Sequence, residues 1–148
     1  MDDRARARVL VAGQFTALGT WLLVGPWASP WAAGLVVQAA GVALGAWAGL
    51  WMAWRQRRPF SITPIPDAHP ELVVDGPYRW VRHPMYTALL MLVLPAASGG
   101  GPASVATGAA LLAVLVVKHR FEDRLLAARF PGHADWARRT GGLLPFVG

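Results

Sequence analysis

The sequence predicts an all-α integral membrane protein with about four transmembrane helices in two hairpins, followed by a cytoplasmic C-terminal helix and tail. Hydrophobic residues make up 55% of the 148 residues and charged residues only 15%, which is unusually apolar for a soluble domain. No charged residue lies between Arg8 and Arg55, or between Arg82 and Lys118. Each interval is long enough for two helices at about 20 residues per crossing.

The basic residues indicate how the chain is oriented in the membrane. All 14 Lys and Arg residues fall within residues 1–8, 55–82 and 118–139, and four crossings place these blocks on one side. The positive-inside rule makes that side cytoplasmic, so we expect an inner-membrane protein with both termini in the cytoplasm. The same rule accounts for the net charge of +6, so we expect no nucleic-acid partner. The absence of cysteine excludes disulfides and thiolate chemistry.

We expect residues 1–148 to form one domain with two parts. Residues 1–58 form an N-terminal two-helix hairpin, with spans at residues 9–24 and 31–54. The first of these spans is too long for the apolar region of a signal peptide, so we expect it to be retained. Residues 59–148 form the second part, which contains the candidate site residues.

Two features of the N-terminal hairpin predict helix contacts. Gly41, Gly45 and Gly49 recur every four residues and line one face of the second span. Such a face admits a neighbouring helix, and it also predicts a homo-oligomer contact with a second copy. In the first span, Gln14 and Thr20 are expected to make helix-to-helix or back-bonded hydrogen bonds rather than to bind a ligand.

Prolines interrupt residues 59–77, so we expect an extended segment there, with a short strand-like run at residues 71–74. His69 and the acidic residues of this segment, among them Asp75, have no metal-ligand spacing. We therefore take these side chains as solvated and expect no metal site.

The second hairpin has short spans at residues 84–97 and 103–117, joined by a glycine-rich turn at residues 98–102. Both spans are short for a full crossing, so we expect a tilted hairpin or local thinning of the bilayer. Pro95 is expected to end or bend the first of them. From Lys118 onward the chain is expected to leave the membrane as a helix.

Arg82 and His83 are the first candidate site residues. Pro84 suits the first turn of a helix, so both residues lie at a helix N-terminus, with Tyr86 about one turn inside. Backbone N–H groups and the helix dipole favour a carboxylate or phosphate at such a place, and the arginine fork can bind a carboxylate through two hydrogen bonds. The alternative interpretation is a basic pair that anchors the helix at the membrane interface.

Glu122 is the second candidate. A helical projection from Lys118 onward places an apolar arc on one face, with Arg120 and Arg124 facing away. The arc is formed by Phe121, Leu125, Leu126 and Phe130. Glu122 falls inside it, where an unpaired carboxylate is costly. It either forms a structural ion pair with Lys118 or Arg129, or points into a site.

These segments resemble the isoprenylcysteine carboxyl methyltransferase family and its phospholipid N-methyltransferase relatives. Residues 76–86 match the signature Gly-Pro-Tyr-x-x-x-Arg-His-Pro-x-Tyr. The acidic pair at residues 122–123, the Leu-x-x-x-Phe-Pro-Gly run at residues 126–132 and the closing Leu-Pro at residues 144–145 follow in order. The resemblance covers about the last 75 residues of the chain.

The resemblance implies methyl transfer from S-adenosylmethionine to a lipophilic or membrane-delivered acceptor, in a pocket closed by the C-terminal segment. It makes Arg82, His83 and Glu122 the catalytic candidates. Arg82, His83 and the helix start at Pro84 would hold the cofactor carboxylate, and Glu122 its ammonium group or ribose hydroxyls, or orient the acceptor. Aromatic residues would face the sulfonium region: Tyr78, Tyr86 and Trp136. In-line methyl transfer depends mainly on positioning, so Arg82→Ala and Glu122→Ala are expected to abolish transfer and leave the fold intact.

An acceptor carboxylate needs no base, whereas an amine or thiol needs His83 or Glu122 to remove a proton. The chain departs from the family pattern at Ala88, where a glycine is usual, and at His133 and Trp136, where two tyrosines are common. Ala88 is expected to affect a close helix approach or the pocket, and the other two the contacts that cover the cofactor.

Two other functions fit parts of the sequence. A non-catalytic descendant of the family would bind a lipid or a partner and assemble through the glycine face, and it would not bind the cofactor. A small transporter or channel normally needs ionisable groups near the bilayer midplane, and neither uncharged interval contains one. The methyltransferase interpretation therefore ranks first.

Overall fold

The computed structural model describes residues 2–56 and 72–145, which are helical apart from their connections. The helices are α1 (Asp3–Val24), α2 (Ala32–Gln56), α3 (Pro84–Ala97), α4 (Pro102–Arg129) and α5 (His133–Ala137), with a 3₁₀ turn at Gly76–Arg79. Helices α1, α2 and α4 are long and apolar enough to cross a membrane. Helix α3 has 14 residues, so it is about 21 Å long beside a hydrocarbon core of about 30 Å. The chain is an all-α membrane protein, as predicted.

The helix boundaries follow from local sequence. The Asp2 carboxylate caps α1 by accepting the backbone N–H of Ala5, at 2.6 Å. Pro84 and Pro102 begin α3 and α4, because proline at the first helical position loses no intrahelical hydrogen bond. Pro95 lies inside α3, which ends two residues later at Ala97. The predicted turn between the two helices is confirmed.

Helix α4 packs against α1 on one side and α3 on another, and α2 packs against α3. A buried apolar cluster joins α1, α3 and α4: Ala17, Trp21, Val93, Ala96, Ala97, Leu111 and Leu115. Large apolar side chains on the outer faces stay exposed on the single chain, including Leu23, Val36 and Leu50. An apolar outer surface is what a lipid environment requires.

The glycine face of α2 is used inside the chain. A Cβ atom on Gly41 would lie 2.9 Å from Met91 Cβ, and one on Gly45 would lie 3.3 Å from Ala88 Cβ, both on α3. Gly49 has nothing within 4 Å of its Cβ position. The prediction of a close helix neighbour is confirmed, but the neighbour is α3. Helix α3 occupies the part of the face formed by Gly41 and Gly45, and the homo-oligomer contact through this face stays a prediction.

Polar side chains in the helices bond to other helices or to their own backbone, as predicted. The Lys118 ammonium on α4 donates to Gln14 Oε1 on α1 at 2.6 Å. The Thr20 hydroxyl donates to the carbonyl of Thr16 at 2.8 Å. The Gln38 amide donates to the carbonyl of Leu92 at 2.8 Å and so ties α2 to α3.

Asp75 is bound to α2, which corrects the prediction that it is solvated. Its carboxylate accepts the indole N–H of Trp51 at 3.0 Å and lies 3.4 Å from Arg55 Nε. The next residue, Gly76, has φ of +58°, and a Cβ there would lie within 2.6 Å of the Trp51 ring. Residues 72–74 form no strand, so that part of the strand-like run was wrong. His69 and Glu71 lie outside the described residues.

Candidate functional site

The Arg82-His83 motif lies where α3 begins and is held there by the C-terminal segment. The backbone N–H of Arg82 donates to the carbonyl of Gly141 at 2.8 Å, and that of His83 to Gly142 at 3.2 Å. The Thr87 hydroxyl donates to the carbonyl of Leu143 at 2.6 Å. The C-terminal segment therefore lies directly against the first turn of α3.

Asp123 on α4 is the centre of a buried charge cluster. Its two carboxylate oxygens accept Arg82 Nε at 3.2 and 3.1 Å, and Arg82 Nη2 lies 3.1 Å from Oδ2. His83 Nε2 lies 3.0 Å from Oδ1, and two further imidazoles approach the same carboxylate. These are His119 at 3.7 Å and His133 at 3.5 Å. The Asp123 carboxylate thus lies within 4 Å of one arginine and three histidine side chains.

His83 lies between two carboxylates. Its Nδ1 atom is 3.2 Å from Glu122 Oε2, and its Nε2 atom is 3.0 Å from Asp123 Oδ1. Burial lowers the pKa of His83, but the hydrogen bonds and charges of Asp123 and Glu122 outweigh it, so that the pKa is raised above its ordinary value. The protonated imidazolium is therefore favoured at this position.

Glu122 points into the site, as one of the two predicted alternatives required. The Tyr86 hydroxyl donates to Glu122 Oε1 at 2.6 Å, and the Tyr86 ring stacks on the His83 ring with centroids 5.4 Å apart. Lys118, one of the expected ion-pair partners, donates to Gln14 and lies over the Tyr86 ring at 4.9 Å.

The Arg82 guanidinium holds the C-terminal segment in place. Besides its bonds to Asp123, Nη1 donates to the carbonyl of Ala137 at 3.0 Å and to that of Thr140 at 2.5 Å. The residue is only 7% exposed, so most of its donors are already satisfied by the protein. This differs from the expectation that the fork is open to a ligand carboxylate.

Tyr78 and Trp136 are packed side by side next to this cluster. The Trp136 indole N–H donates to the backbone carbonyl of Tyr78 at 3.0 Å, and both side chains are buried with Val73. Burial, with a smaller contribution from the charge of Glu122, raises the pKa of the Tyr78 hydroxyl. Trp136 therefore supports the site through Tyr78 and α5, and its N–H is already engaged.

A cavity of about 390 Å³ opens beside the charge cluster. It is lined by Arg82, Val116, His119, Arg120, Asp123, Leu143 and Leu144. This volume lies within the range of small-molecule sites, and the lining combines cations, one carboxylate and apolar side chains. Arg120, which was predicted to face away from the apolar arc, forms part of this wall.

The structure brings together six of the seven residues predicted for the site. Arg82, His83, Pro84, Tyr86 and Glu122 lie around the start of α3, with Tyr78 beside them. Trp136, the seventh, contacts this group through Tyr78 and His133. Sequence reasoning missed Asp123, His119 and His133 as members of the site. The spacing of His119 and Asp123, four residues apart on one helix face, was the one signal in the sequence that could have identified a pair.

Comparison with known proteins places these segments in a family context. The profile of the family described as phospholipid methyltransferase matches residues 33–132, which include both polar motifs. The cobalt-zinc-cadmium resistance protein CzcN of Cupriavidus metallidurans is 38% identical over 78 residues, covering 50% of this chain and 35% of that protein. The nickel-cobalt-cadmium resistance protein NccN of Alcaligenes xylosoxydans xylosoxydans is 34% identical over 79 residues, covering 51% of this chain and 36% of that protein. The match thus spans about a third of these relatives' length. No solved structure matches significantly.

Proposed function

The chain belongs to the phospholipid methyltransferase family, and from that premise we propose that it transfers a methyl group from S-adenosylmethionine to a lipophilic acceptor at the cytoplasmic face of the inner membrane. The observation that supports this most directly is the pairing of the two family motifs in space. Tyr86 and His83 of the first motif hydrogen-bond to Glu122 of the second. The two motifs therefore lie at the same end of the helix bundle.

The cavity next to this pairing suits the cofactor. S-adenosylmethionine has a zwitterionic amino-acid end and a flat adenine end, and when bound it supplies the electrophilic methyl group on its sulfonium sulfur. Arg120 and the remaining donor of Arg82 suit a carboxylate, and Asp123 suits an ammonium group. Leu143 and Leu144 suit an apolar ring face.

We assign the residues of the cluster distinct roles. Arg82 anchors the C-terminal segment that covers the cavity, with Asp123 as its partner. Glu122, held by Tyr86 and His83, is the carboxylate available to orient an acceptor or to take its proton. The neighbouring carboxylates raise the pKa of His83 and so favour its protonated form, which makes His83 a weaker candidate for the base than Glu122.

A role in tolerance of divalent transition metals is a second candidate, favoured because both relatives above are named for metal resistance. Methyl transfer to a lipid and metal tolerance are compatible, since the first is a reaction and the second a cellular role. Expression of the chain in a metal-sensitive host tests the second candidate. Improved growth in cobalt, zinc or cadmium supports it, and unchanged growth with verified membrane expression counts against it.

Calorimetric titration of S-adenosylhomocysteine into detergent-purified protein tests the main proposal, with a repeat in lipid nanodiscs. We expect binding to the wild-type protein. Arg120→Gln removes a positive charge from the cavity wall, so we expect binding at least about tenfold weaker, because a charge-assisted hydrogen bond contributes about 1.5–3 kcal/mol. Asp135→Asn, at an exposed carboxylate on α5, is the matched control and should bind as the wild type does. Folded wild-type protein that fails to bind in both environments favours the non-catalytic descendant.

A further inference from the structure

Three side chains of the charge cluster have the geometry of metal ligands. One ring nitrogen of His83, one of His119 and one carboxylate oxygen of Asp123 all lie within 4.8 Å of one another. His83 precedes α3, whereas His119 and Asp123 lie one turn apart on α4. Packing of α3 against α4 therefore assembles a set of donors that no short sequence motif contains, which is why the sequence indicated no metal site.

Two imidazole nitrogens in this cluster are buried without a hydrogen-bond partner. They are His119 Nδ1 and His133 Nε2, at 3.7 and 3.5 Å from the two oxygens of Asp123. His133 is only 5% exposed. A buried polar atom without a partner costs about 1–3 kcal/mol, so two of them aimed at the same carboxylate need a physical explanation. A cation between the imidazoles and the carboxylate satisfies both the lone pairs and the negative charge.

The distances suit a small cation with nitrogen and oxygen ligands. A tetrahedral zinc ion bound at about 2.0–2.1 Å keeps its ligand atoms about 3.3 Å apart. The separations between Asp123 oxygens and the nitrogens of His83 and His119 are 3.0 and 3.7 Å, on either side of that value. Small side-chain adjustments are enough to bring these atoms to ligand distances.

The groups around the donors resemble the outer shell of a metal site. Glu122 accepts from His83 Nδ1, which leaves Nε2 as the free donor atom once its proton is displaced. A carboxylate behind a ligating histidine is a general feature of zinc sites, and Tyr86 holds that carboxylate in turn. Arg82 holds the Asp123 carboxylate in place in the same way.

We propose that His83, His119 and Asp123 form a binding site for a divalent transition-metal cation such as Zn²⁺, with His133 as the nearest additional donor. Imidazole nitrogen selects zinc, cobalt and nickel over Mg²⁺ and Ca²⁺. The site does not depend on methyl transfer.

Calorimetric titration of Zn²⁺ into chelator-treated full-length protein, in detergent and in the absence of cofactor, tests the site. We expect one ion per chain for the wild-type protein and no heat with Mg²⁺. His119→Ala removes a ligand that the methyl-transfer proposal does not use, and we expect its Zn²⁺ affinity to fall at least about tenfold. Asp135→Asn, at an exposed carboxylate on α5, is the control and should leave the affinity unchanged.

Two results overturn the site. One is a folded wild-type protein, verified by circular dichroism, that takes up no Zn²⁺. The other is a Zn²⁺ affinity that is unchanged in His119→Ala or lost in Asp135→Asn, because the ion is then bound elsewhere. X-ray absorption of the zinc-loaded protein provides an independent readout, with nitrogen and oxygen ligands expected at about 2.0–2.2 Å. A failure here leaves the S-adenosylhomocysteine titration unaffected, so the two proposals are tested separately.

Discussion

Arg82→Ala is expected to destabilise the fold rather than only to abolish activity. The guanidinium is 6% exposed and pairs with Asp123, which is 17% exposed. It also satisfies the carbonyls of Ala137 and Thr140 in the C-terminal segment. Removing one partner of a buried ion pair costs about 3–5 kcal/mol, because the other charge stays buried without compensation. The sequence-based expectation that this variant keeps the fold intact is therefore revised.

Reversible unfolding in mixed micelles measures this cost as a change in the free energy of unfolding. Arg124→Ala is the matched control, because Arg124 lies on the same helix as Asp123 and pairs with Asp3 on the surface, where the two side chains are 56% and 57% exposed. We expect the control to cost at most about 1 kcal/mol. If Arg82→Ala costs no more than Arg124→Ala, the guanidinium does not hold the C-terminal segment and the account of the site is wrong.

Three further changes test the fold by the same unfolding measurement. Gly76→Ala should lower the free energy of unfolding by at least about 1 kcal/mol, because φ is +58° at this residue. Gly49→Ala, at an open position on α2, should raise it by about 0.5–1 kcal/mol. Changes of the same sign in the two variants contradict this reasoning. Gly41→Val should lower the free energy of unfolding, because the new side chain clashes with α3, and should leave the oligomeric state measured by light scattering unchanged. If the wild-type protein is a dimer and the variant is not, the glycine face is an oligomer contact. Gln14→Leu should cost about 1–3 kcal/mol because Lys118 loses its hydrogen-bond acceptor; an unchanged free energy of unfolding contradicts that role.

The helices could be predicted from sequence because lipid and local backbone rules determine them. The uncharged intervals at residues 9–54 and 83–117 required apolar helices, and Pro84 marked where α3 begins. The start of α4 at Pro102 was placed one residue too late. The sequence predicted that helices would pack closely at certain faces, but not which helix would pack there. A glycine face predicts a close neighbour, but whether that neighbour is α3 or a second chain depends on the arrangement of the whole bundle.

The charge cluster was only partly predictable, for the same reason. Helical periodicity placed Glu122 on the packed face, where it contacts Tyr86 and His83. Asp123 and His119 were missed because their partners are Arg82 and the C-terminal segment, which are distant in sequence. The contact of Asp75 was missed because its partner Trp51 lies on α2, 24 residues earlier in the chain. Burial by distant segments leaves no local pattern of residues.

The central claim is methyl transfer to a lipophilic acceptor. The most direct test incubates wild-type protein in nanodiscs of total membrane lipid with methyl-labelled S-adenosylmethionine and counts label extracted into organic solvent. We expect label in that phase for the wild type and for Asp135→Asn, and at least about tenfold less for Glu122→Gln. Folded wild-type protein that transfers no label above a protein-free control contradicts the account.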